Sequence, residues 1–64
     1  MPEKMMFKVV NMDGRLIARF IAKGDAYTFA FAKVETYRQV DPEVDIRVSY
    51  NNSTKTITLI EEGK

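Results

Sequence analysis

Residues 25–40 read DAYTFAFAKVETYRQV. Tyr27, Ala30, Phe31, Val34 and Tyr37 recur at i, i+3, i+4, i+7 and i+10, so they share one face of a 3.6-residue period. Asp25, just after Gly24, stands where an N-cap belongs. Asp41-Pro42 stops the period, because a residue before proline is pushed out of the α region. The spacing predicts a helix over 25–40, the only one in the chain. Strand-like sequence flanks it on both sides, so its apolar stripe is expected to cover a small sheet.

Upstream, residues 5–12 and 15–23 are rich enough in β formers for two strands. Asp13-Gly14 lies between them, and Asp-Gly between apolar runs is a strong hairpin signal, since a type I′ turn needs positive φ at both central residues. As a two-residue loop it sets Met12 opposite Arg15, Val9 opposite Ala18 and Phe7 opposite Phe20. Phe7, Val9, Leu16, Ala18, Phe20 and Ala22 then face the helix. Met6, Lys8, Val10, Ile17, Arg19 and Ile21 face away, and four of these six are apolar.

Downstream, residues 44–50 alternate cleanly, with Val44, Ile46, Val48 and Tyr50 on one face and Asp45, Arg47 and Ser49 on the other. Asn51-Asn52-Ser53 is turn chemistry. Residues 54–61 form the last strand. A two-residue Asn52-Ser53 loop, or a four-residue loop over 51–54, pairs Val48 with Ile57 and Ile46 with Leu59, and turns Thr56 and Thr58 outward.

The expected fold is α+β: one ββαββ domain over residues 1–64, with one helix on one face of a four-stranded antiparallel sheet. Order 2-1-3-4 is preferred, because it gives the crossover a sheet to span and leaves one face covered. Order 1-2-4-3 is the antiparallel alternative. Residues 1–4 read as a lead-in and 61–64 as a polar tail.

A chain of 64 residues holds one small core, whose burial nearly cancels the ordering entropy. It has neither cysteine nor histidine, which removes disulfide staples and the usual zinc ligand sets. Packing or self-association is left to hold the fold, and a homodimer is the expected state. The net charge of +1 does not itself argue for nucleic acid or membrane. No run approaches the roughly 20 apolar residues of a membrane span, and the start is a poor signal peptide. The absence of cysteine fits the cytoplasm.

Without histidine or cysteine an enzyme is hard to build, and none is expected. No cofactor or metal is expected either. Asp41, Glu43 and Asp45 form the one local acidic cluster, read as a solvated loop entering a strand. The expected function is a small non-enzymatic interaction or regulatory protein, acting as a homodimer or docking on a larger protein. Its contact residues are Met6, Val10, Ile17 and Ile21 on the outer face of the first hairpin, with Phe29 at the edge of the helix stripe or outside it. The alternative is a nucleic-acid binder with a basic stripe of Lys8, Arg19 and Arg47 on the open sheet face. Single-strand binders of this kind stack bases on exposed sheet aromatics, and Phe7, Phe20 and Tyr50 all face inward in this register.

Overall fold

The structure, a computed structural model, describes residues 6–62. The expected lead-in, Met5 at the start of the first expected strand, and Gly63-Lys64 of the tail lie outside the described residues. The elements follow the order β1 (Phe7–Val10), β2 (Leu16–Phe20), α1 (Lys23–Val40), β3 (Asp45–Asn51) and β4 (Thr56–Glu62).

The sheet order is β2-β1-β4-β3. Both hairpins are antiparallel, but the central pair β1–β4 is parallel. This corrects the expected all-antiparallel 2-1-3-4 order, and the 1-2-4-3 alternative with it. The reason lies in which strands carry side chains that need cover on both flanks. The largest fully buried side chains are Val9 on β1 and Ile57 and Leu59 on β4, and a central strand covers them best. The polar alternates of β3, Asp45, Arg47 and Ser49, suit an edge. An 18-residue helix is about 27 Å long, while four strands span only about 14 Å. The crossover can therefore carry the chain from one edge to the other. Lys8 N–H donates to the Lys55 carbonyl at 3.0 Å, opening the parallel ladder.

The first hairpin reaches its expected register by an unexpected route. Asn11 N–H donates to Arg15 O at 2.8 Å, and Gly14 N–H to Asn11 O at 3.0 Å. The loop is thus three residues, Met12-Asp13-Gly14, with Gly14 left-handed at φ 87°, as three-residue hairpins require. The Asp13 carboxylate accepts from Arg15 N–H at 3.2 Å. This loop pairs Val10 with Leu16, and a bulge then restores Val9–Ala18, Lys8–Arg19 and Phe7–Phe20. The extra residue is Ile17. A bulge breaks strict alternation, so Ile17 packs against the buried cluster. Leu16, expected to face the helix, is 44% exposed.

The second hairpin turns over Asn52–Lys55. Asn51 pairs with Thr56, Val48 with Leu59 and Ile46 with Glu61. The register is displaced by two residues from the expected one, so every side chain keeps its expected face. The Asn51 side-chain oxygen accepts from Ser53 and Thr54 N–H at 2.9 and 3.3 Å. Lys55 closes the loop at φ 56°.

Helix α1 starts two residues before Asp25. Ala22 is its N-cap and offers no side-chain bond, while Asp25 lies in the first turn, where a carboxylate complements the helix dipole. The helix ends at Val40, and Asp41 N–H donates to Tyr37 O. The buried stripe is Ala26, Ala30 and Val34. The two alanines let the helix axis approach the sheet, which centres the stripe on them. Phe29 and Phe31 then flank it, each about 100° from Ala30. Phe29 is drawn in by Phe20, with ring centroids 5.4 Å apart. Phe31 is 57% exposed, although the periodicity assigned it to the core. Tyr37 donates its hydroxyl to Asn11 Oδ1 at 3.1 Å, tying the last helical turns to the first hairpin.

Candidate interaction surfaces

The sheet has one face under α1 and one without a covering layer among the described residues. The hairpin registers arrange this open face in rows across the strands. Arg19, Lys8, Thr56 and Asn51 form one row; Leu16, Val10, Thr58 and Ser49 form the next. Ile60 and Arg47 pair further along β4 and β3, and Glu62 pairs with Asp45 at the end. Met6 and Ile21 stand one residue beyond the Phe7–Phe20 pair, 40% and 80% exposed.

Of the five expected contact residues, Met6, Val10 and Ile21 are on or beside this open surface. Ile17 and Phe29 are not; both pack against the buried cluster. Leu16 and Ile60 join the open face in their place. Ile60 was legible from strand parity alone, since Ile57 and Leu59 point the other way. Leu16 was not, because the bulge that exposes it is a consequence of loop length. The cationic row of Lys8 and Arg19 lies between Met6 and the Val10–Leu16 pair, so the apolar side chains do not form one continuous patch.

The three residues of the expected basic stripe are not brought together. Lys8 and Arg19 are cross-strand partners. Arg47 is two strands away on β3, and its Nε donates to Glu62 Oε2 at 3.0 Å. The acidic residues of the 41–45 segment do not converge either. Asp41 Oδ1 accepts from Glu43 N–H at 3.2 Å, closing the turn, whereas Asp45 faces Glu62 across the sheet. Among the described residues no group of three or more carboxylates is disposed to hold a metal.

The second surface is a groove of about 490 Å³ between α1 and the β3 edge. Tyr27, Phe31 and Val34 form its helix wall, Ile46 and Val48 its floor, and Glu35, Arg38 and Arg47 its rim. Tyr27 stacks on Phe31 at 6.0 Å between centroids and meets Tyr50 at 5.9 Å. The Lys23 ammonium lies 4.6 Å from the centre of the Tyr50 ring, closing that end of the wall with a cation–π contact. Arg38 and Glu35 are 3.9 Å apart and mostly solvated, so their attraction is weak. The groove exists because the two sides of the helix stripe differ: Phe20 fills the β2 side against Phe29, whereas on the β3 side Tyr50 meets only the Tyr27 end and the aliphatic Ile46 and Val48 leave the rest open.

The two edges of the sheet also differ. β2 is short and bulged, which blunts it against further pairing. β3 is seven residues long with an unbroken register to β4.

No helix among the described residues is long and apolar enough to cross a membrane. In comparisons with known proteins, no family model, no curated protein and no solved structure matches the chain.

Proposed function

We propose that this chain is a small non-enzymatic interaction protein of the cytoplasm that acts as a homodimer and offers its remaining apolar surface to a larger protein. One observation carries the reading. Large apolar side chains, Leu16, Ile21 and Phe31, stay exposed while the buried cluster is only Val9, Ala26, Ala30, Val34, Ile46, Ile57 and Leu59, without an aromatic ring and with two alanines among its helix residues. A core of that size supports little stability alone, and covering the exposed side chains with a second copy supplies what it lacks. Urea unfolding at several protein concentrations tests this. A dimer makes the midpoint rise, by about 1.4 kcal/mol per mole of dimer for each tenfold concentration. A midpoint independent of concentration contradicts it.

A second reading rests on Lys8 and Arg19. Two cations directly opposite on neighbouring strands repel by about 0.2–1 kcal/mol, and an anion between them would remove that cost. With Thr56 beside them they suit a phosphate of single-stranded nucleic acid, while Arg47 is held elsewhere by Glu62. Binding on this reading weakens steeply with salt and drops in Lys8→Ala and Arg19→Ala. Salt-insensitive binding, or none, rules it out.

A further inference from the structure

We infer that the homodimer forms by antiparallel pairing of β3 with its own copy, about a two-fold axis at Ile46. The inference rests on the homodimer reading and adds the interface and register to it.

The free edge has its backbone groups set for pairing. Lys8 donates to the Lys55 carbonyl and Lys8 is the bridge partner of Thr56, so the odd-numbered β4 residues direct their peptide groups at β1. The even-numbered ones direct theirs at β3. The hydrogen-bonded pairs of the second hairpin are therefore Asn51–Thr56, Ser49–Thr58, Arg47–Ile60 and Asp45–Glu62. Ile46, Val48 and Tyr50 turn their N–H and C=O to the outside edge. Val44 N–H is already given to Asp41 O at 3.1 Å.

A two-fold axis normal to the sheet keeps both helices on one side, so only registers joining residues of equal parity are allowed. Centring on Arg47 sets two guanidinium groups face to face. Centring on Ile46 sets Ile46 on its copy, Val44 on the second copy's Val48, where the Val44 carbonyl accepts from Val48 N–H while Val44 N–H stays with Asp41, and Asp45 on the second copy's Arg47, twice. The Asp45–Arg47 positions are then the non-hydrogen-bonded ones, where side chains approach most closely. Within one chain Asp45 stands directly opposite Glu62, and the single Arg47 is already engaged by that glutamate. Asp45 therefore has a carboxylate and no cation across from it in its own chain, and the second copy sets its Arg47 there, shared with that copy's own Glu62. The same joining sets the two α1–β3 grooves side by side, so that a Phe31 from each copy covers the new junction above Ile46 and Val48.

The open face is a poorer site for a second copy. Packing it on itself buries Lys8 and Arg19, for which no carboxylate partner is seen among the described residues, and unpaired buried charge is costly.

The test is a charge exchange read by sedimentation equilibrium. Asp45→Lys makes the edge wholly cationic and Arg47→Glu makes it wholly acidic. Each turns two attractive cross-strand pairs into two repulsive ones, and each is expected to weaken the dimer roughly 30-fold. Mixing the two variants is expected to restore a dimer of wild-type strength, as is the double exchange in one chain. Circular dichroism of each single variant confirms that the monomer is folded, and the mixture guards against simple damage. A dimer unaffected by either substitution overturns the inference while leaving the homodimer reading intact. Weakening without recovery in the mixture overturns the register. Dissociation by Leu16→Asp instead places the interface on the open face and also overturns it. A wild-type chain that is monomeric at all concentrations overturns both readings.

Discussion

Truncating two adjacent residues, Leu16 and Ile17, should have opposite consequences from those that strand alternation implies. Alternation from a two-residue turn buries Leu16 and exposes Ile17; the three-residue loop and the compensating bulge reverse them. Fully burying a large aliphatic side chain is worth about 1.5–3 kcal/mol, and Ile→Ala in a core costs about 2–5 kcal/mol. Ile17 is half-buried against the cluster, so Ile17→Ala should cost about 1.5 kcal/mol. Leu16 is 44% exposed on the uncovered face and touches no covering layer, so Leu16→Ala should cost about 0.5 kcal/mol or less. With a urea m-value of about 1 kcal/mol/M for a chain this small, the midpoint falls by about 1.5 M in the first variant and by at most about 0.5 M in the second. Both are measured at one protein concentration by far-UV circular dichroism, since β2 lies at the edge opposite the proposed interface. Equal losses, or a larger loss for Leu16→Ala, would refute the bulge and the placement of both side chains.

Three further substitutions test separate parts of the account. Tyr37→Phe deletes the bond to Asn11 and should cost about 1 kcal/mol, with faster hydrogen exchange at the Asn11 and Gly14 amides. Lys55→Gly removes a left-handed side chain; the gain of about 1–2 kcal/mol exceeds glycine's entropic cost of about 0.5–1 kcal/mol, so the thermal midpoint should rise slightly. Ala30→Leu fills a position with no exposed surface where the helix meets the sheet, and calorimetry should show about 1–3 kcal/mol of destabilisation.

The parts of the fold legible in the sequence are those set by local chemistry. The Asp41-Pro42 stop, the alternation of Val44 to Tyr50 and the turn character of Asp13-Gly14 and Asn51-Asn52 each act within a few residues. What lay beyond reach depends on choices that the chain makes jointly. Loop length in the first hairpin differed by one residue, and the bulge at Ile17 cancelled that difference at Phe7 while exchanging the faces of Leu16 and Ile17. Loop position in the second hairpin shifted pairing by two, which parity conceals, so Ile46 and Leu59 stayed inward without facing each other. Strand order followed from where β4 finds cover for Ile57 and Leu59, a comparison between whole sheets rather than a property of any segment. The helix stripe was misplaced because Tyr27 and Phe31 carry more hydrophobic surface than Ala26. The alanine, though, decides how closely the helix can approach. The same error sets Phe31 in the core and Phe29 at its edge or outside, the reverse of their places in the structure, and so hides the groove.

The candidate surfaces inherit these errors. Met6, Val10 and Ile21 needed only parity to be placed. Leu16 needed the bulge, and the Asp45–Arg47 edge needed the strand order, since in a 2-1-3-4 sheet β3 has no free side.

Sedimentation equilibrium of the wild-type chain over a wide concentration range addresses the central claim most directly. The account predicts a mass rising from one chain to two and stopping there, as an isologous contact requires. The mass of a single chain at every concentration would contradict it.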